Sequence, residues 1–96
     1  MTFNDLKFNE ERPELKAVIA RHFFPNKWGV SVIKSTGDDG MLQVYSDSEE
    51  NTYELAVIVG RGDNDWTIHH DELYPYITEE KVTEIMETVS EREPAL

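Results

Sequence analysis

The chain has 96 residues, 39% of them hydrophobic, no cysteine and a formal net charge of −11. This length holds one core, the lack of cysteine excludes disulfides and thiolate metal sites, and no run reaches the roughly 18 apolar residues of a membrane-spanning helix. The N-terminus lacks the basic-then-apolar pattern of a secretion signal, so a cytoplasmic location is expected. Charge is distributed unevenly. Residues 1–35 carry four acids and six bases, whereas residues 36–96 carry sixteen acids and only Arg61, Lys81 and Arg92. Such a surface repels nucleic acid and anionic membranes and attracts basic partners.

In chain order, Phe3, Leu6 and Phe8 suggest a short strand or an extended arm, and the polar stretch Asn9 to Glu14, carrying Pro13, suggests a loop. Residues 15–24 fit either a helix or a strand. Pro25-Asn26-Lys27 is a turn signal, and Trp28-Gly29-Val30-Ser31-Val32-Ile33 is a strand with Trp28, Val30 and Val32 on one face. A turn this tight before a strand favours a hairpin with Ala17–Phe24 as its first arm. Gly37-Asp38-Asp39-Gly40 reads as a turn, Met41 to Tyr45 as a short strand, and Ser46 to Asn51 as an acidic loop.

Thr52 to Gly60 reads as the central strand, with Tyr53, Leu55, Val57 and Val59 on one face and its far end buried on both sides. Arg61 to Asp65 is a loop; its Arg-Gly-Asp tripeptide matches an integrin motif only in letters. Trp66-Thr67-Ile68-His69 returns as a strand, and Asp71 to Ile77, with Pro75, is expected to be irregular. Thr78 then caps a helix to about Ser90, with Glu79 and Glu80 in its first turn, where the helix dipole favours carboxylates. Val82, Ile85, Met86 and Val89 recur at the spacing of one helical face. Residues 91–96 are expected to fray. The sum is a single α+β domain: an antiparallel sheet of about five strands with one C-terminal helix packed on one face.

With its elements placed, the chain resembles small proteins encoded by tailed bacteriophages and prophages. The shared features are the turn into Trp28-Gly29-Val30-Ser31-Val32, the strand Tyr53-Glu54-Leu55-Ala56-Val57 and the closing helix Ile77-Thr78-Glu79-Glu80-Lys81-Val82. In that group the hairpin turn is Asn-Gly, whereas here Asn26 is followed by Lys27. No catalytic residues are known for the group, so none carry over. The resemblance implies a setting, the host cytoplasm during infection, where small acidic proteins bind and inhibit host machinery.

The best-defined constellation is on the helix. Glu80, Glu84, Glu87 and Glu91 cluster within about 60° of the wheel, opposite the apolar stripe, over roughly 16 Å of axis. Phosphates along one DNA strand have similar spacing, so a protein that reads DNA electrostatically could accept this face. An ordinary solvated face is the competing reading, although such faces usually interleave lysine at i+4. Asp47, Glu49 and Glu50 form a second acidic cluster, without the glycine and distant acid of a calcium loop. His69-His70-Asp71 is a poor metal site, because adjacent residues of a strand point to opposite faces.

No nucleophile–base set and no phosphate-cradling glycine loop is evident, so no cofactor and no catalysis are expected. The expected partner is a basic host protein, which could itself bind nucleic acid; direct nucleic-acid binding and membrane binding are not expected. The alternative is a small-ligand binder or enzyme using the Trp66–His70 region. A monomer, or a homodimer joined through sheet edges, fits the pattern.

Overall fold

The computed structural model describes residues 2–15, 17–35, 52–62 and 65–95. Five strands form one antiparallel sheet in sequence order: β1 (Glu10–Arg12), β2 (Ala17–Phe23), β3 (Trp28–Ser35), β4 (Tyr53–Gly62) and β5 (Asp65–Ile77). The one α-helix among the described residues, α1 (Glu79–Ser90), crosses one face over β3 and β4. The α+β class and the C-terminal helix follow the expectation. The expected turn at residues 37–40, the strand at 41–45, and the acidic residues Asp47, Glu49 and Glu50 lie outside the described residues.

The β2–β3 hairpin forms as its turn signal indicated. Phe24 N–H donates to Trp28 O (2.7 Å) and Lys27 N–H to Phe24 O (3.0 Å), which closes a three-residue loop over Pro25-Asn26-Lys27. Lys27 takes the left-handed conformation there (φ 72°), the place a glycine fills in an Asn-Gly turn.

The register puts Val30 opposite Val57 and Val32 opposite Leu55. These four, with Phe24 and Tyr53, are buried against Val82, Ile85, Met86 and Val89 of α1. The expected apolar faces of the hairpin, of β4 and of the helix therefore meet in one core. The strand expected at the centre, β4, has neighbours on both sides, but the middle strand of the five is β3. Both faces of β4 are buried at Val57 and Ile58, as its unbroken apolar end suggested.

Three local expectations need correction. Phe3–Asp5 is a short 3-10 helix rather than part of a strand or an extended arm, and Phe3, Leu6 and Phe8 pack against the core, with Phe3 N–H donating to Thr83 Oγ1 of α1 (2.9 Å). The stretch expected as a loop contains β1, whose three polar residues pair with β2 at Glu10↔Ile19, Glu11↔Val18 and Arg12↔Ala17; an exposed edge strand needs no apolar alternation. Residues 71–77 continue β5 rather than leaving the sheet. Three extra residues sit between the pairs Ile58↔Ile68 and Ala56↔Leu73, and one more between Leu55↔Tyr74 and Tyr53↔Ile77, where Tyr76 adopts φ 51°. These bulges break the two-residue period and so conceal the strand in the sequence.

Gly60 is required by close approach. A Cβ there would lie 2.0 Å from the carbonyl oxygen of Asp65, on the neighbouring strand.

Candidate functional site

The helix that carries Glu80, Glu84 and Glu87, with Glu91 at its C-cap, is fixed at both ends. Thr78 Oγ1 accepts from Lys81 N–H (3.2 Å) and caps the first turn. Glu79 accepts from the Tyr53 hydroxyl at 3.3 Å, which ties α1 to β4. Burial of the phenol and the adjacent Glu79 carboxylate push the Tyr53 pKa up to about 12. The phenol is packed among Phe3 and Phe8, with Lys34 Nζ 4.5 Å from its ring.

On the outer face Glu80, Glu84, Glu87 and Glu91 are all exposed, and the last turn of α1 holds no basic residue. The structure brings these four together in the row the spacing indicated. Lys81 pairs with Glu84 at 3.0 Å; among the described residues, no cation pairs with Glu80, Glu87 or Glu91. The stacked like charges are thus relieved at one position out of four. Glu91 also stands where the helix dipole is negative, an unfavourable place for a carboxylate.

Of the C-terminal residues expected to fray, 91–95 dock against the β2–β3 hairpin instead. The Asn26 amide donates to the carbonyls of Val89 (2.9 Å), Ser90 (3.2 Å) and Arg92 (3.1 Å), so the β2–β3 turn caps the far end of α1. Ala95 N–H donates to Asn26 O (3.0 Å), and Trp28 Nε1–H donates to Glu93 O (2.9 Å). Arg92 lies 4.7 Å from the Trp28 ring and grips Glu72 with two nitrogens, Nη1 donating to Oε2 at 2.6 Å and Nη2 to Oε1. That hydrogen bonding holds the Glu72 carboxyl below the usual carboxylate range. Sequence reasoning missed this cluster. The turn residue and the carbonyls it caps are 63 to 66 positions apart, and no local pattern links them.

Of the Trp66–His70 region in the alternative reading, Trp66 and His69 fall on opposite faces of the sheet, and the His70 side chain lies outside the described residues. His69 sits edge-on to Trp28 (5.3 Å between ring centroids) with Nε2 3.6 Å from Glu72. Trp66 pairs with Gly60 on the face away from α1, where the Arg21 guanidinium stacks 4.6 Å from its ring. His22 is on β2, with β3 and β4 between it and β5, and burial lowers its pKa. Among the described residues no group of three His, Asp or Glu side chains is placed to hold a metal ion.

Among the described residues, two shallow cavities border these elements. One, of about 170 Å³, lies between α1 and β5 and is lined by Tyr74, Lys81, Glu84, Ile85, Thr88, Val89 and Arg92. The other, of about 260 Å³, is lined by Asp5, Leu6, Lys7, Asn9, Arg21 and His22. Trp66 and His69 line neither. Among the described residues, no helix is long and apolar enough to cross a membrane.

No protein-family model, no curated protein and no solved structure matches this chain.

Proposed function

We propose that this protein is a non-enzymatic acidic binding module that holds a basic surface of a protein partner against the outer face of α1. The observation that supports the reading is the row Glu80, Glu84, Glu87 and Glu91: all four are exposed, only one has a counterion among the described residues, and Glu80, Glu84 and Glu87 ride on a helix locked by its core face and both ends, with Glu91 at its C-cap. A rigid row of carboxylates spends little conformational freedom on binding, which favours a partner that carries its own fixed row of cations. In its sharpest form the row imitates a phosphate backbone and blocks a nucleic-acid-binding protein of the host, such as a defence nuclease. The setting, a bacterial cytoplasm during phage infection, rests on the resemblance described above.

The test is capture from bacterial lysate with the parent protein and with the variant carrying Glu80→Gln, Glu84→Gln, Glu87→Gln and Glu91→Gln, the bound proteins being identified by mass spectrometry. The expected result is a basic protein retained by the parent, lost from the variant, and released steeply as salt rises. A partner retained equally by both proteins would sink the proposal.

A further inference from the structure

We propose that residues 92–95 form a latch, held closed on Trp28 by Arg92 and Asn26, that opens as a unit while the sheet and α1 with its C-cap Glu91 stay folded. Glu93 and Pro94 of the segment are exposed, and Arg92 and Ala95 are half-buried, so no apolar side chain anchors the segment in the core. What holds it is polar: the Arg92–Glu72 fork, the stacking of Arg92 on Trp28, the Trp28 indole bond to Glu93 O, and the bond from Ala95 N–H to Asn26 O. Segments with few buried apolar contacts open at lower free energy than the core.

The cap on α1 has two tiers, which is why opening spares the helix. When Arg92 and Ala95 leave, Asn26 still donates to the carbonyls of Val89 and Ser90. Trp28 likewise keeps its edge contact with His69 and its packing beside the core. Opening has a consequence for the surface, because Arg92 is one wall of the cavity between α1 and β5. Its departure uncovers the Trp28 ring and widens that cavity, whose lining includes Ile85, Val89 and the row residue Glu84.

Acid is the natural key. Among the described residues, the titratable and charged groups around Glu72 are Arg92 on the segment and His69 and Tyr74 on its own strand. Arg92 depresses the Glu72 pKa in the closed state, so the hold is present above the ordinary carboxylate range. It is lost as pH falls through the lower value of the closed state.

Amide exchange by NMR on the full chain tests this. The reporters are the Ala95 amide and the Trp28 indole proton; the references are the amides of Val32 and Val57 in the core ladder. In Arg92→Ala and Glu72→Gln we expect the Ala95 amide to exchange at least about tenfold faster, and the indole resonance to shift, with the references unchanged. Unchanged reporters, or reporters and references accelerated by one common factor, would overturn the latch. Acid titration of the parent provides a check that needs no variant. The indole resonance must move before the core spectrum is lost, and simultaneous loss would equally overturn it.

Discussion

The two faces of α1 are built from opposite materials and answer to different constraints. Val82, Ile85, Met86 and Val89 on the inner face are buried, while Glu80, Glu84, Glu87 and Glu91 on the outer face are exposed. Burying the inner four contributes an upper limit of about 6–12 kcal/mol, at roughly 1.5–3 kcal/mol each. The outer four oppose folding by a few tenths of a kcal/mol for each stacked pair. The inner face is therefore strong enough to carry an outer face that does nothing for stability. That imbalance lets a small domain hold a repulsive row of charge in a fixed geometry.

Removing the helix should break the comparison outright. A chain ending at Tyr76 loses both faces, and with them a contribution comparable to the whole stability of a small domain, about 5–15 kcal/mol. Its NMR spectrum is expected to lose dispersion, and a cooperative unfolding transition in that truncation would show that the sheet stands without α1. Next in size is Met86→Ala. Met86 is fully buried between α1 and the sheet, so the substitution should cost about 2–5 kcal/mol by chemical denaturation. A loss under about 1 kcal/mol, below that range, would mean that the inner face closes readily over a void. Smaller again is Thr78→Ala, which removes the acceptor for Lys81 N–H and should cost about 1 kcal/mol. It touches both faces, because it frays the turn that carries Glu80 of the outer row and leads into Val82 of the inner face.

Most of this architecture was legible because its signals are local. The helix was readable from Thr78, Glu79 and Glu80 followed by an apolar stripe of helical period, and the hairpin from Pro25-Asn26-Lys27 between two apolar runs. What escaped is held by distant partners. β1 is three polar residues whose pairing depends on β2, and β5 carries bulges that break its alternation. The docked C-terminal segment depends on Asn26 reaching carbonyls across the fold. Of the candidate site, the helix row was visible as a wheel pattern, and Asp47, Glu49 and Glu50 lie outside the described residues. The Glu72–Arg92–Trp28 cluster left no trace in the sequence, since its three members come from β5, the C-terminal segment and β3.

The smallest effect bears most directly on the outer face. Glutamine keeps the length and nearly the helix propensity of glutamate, so changing Glu80, Glu84, Glu87 and Glu91 together alters charge with little change of shape. The variant loses the Lys81–Glu84 pair, but that pair is exposed at both ends and contributes little. It gains relief at the stacked positions and removes Glu91 from the negative end of the helix dipole. Favourable interaction of Glu80 with the helix N-terminus is lost in exchange. The balance predicts thermal stability equal to or slightly above the parent at low salt, with the gap closing as salt screens the face. Melting curves at two ionic strengths measure it. A variant clearly less stable than the parent at low salt would mean that the row holds the domain together through contacts of its own, and the division of labour between the two faces of α1 would then fail.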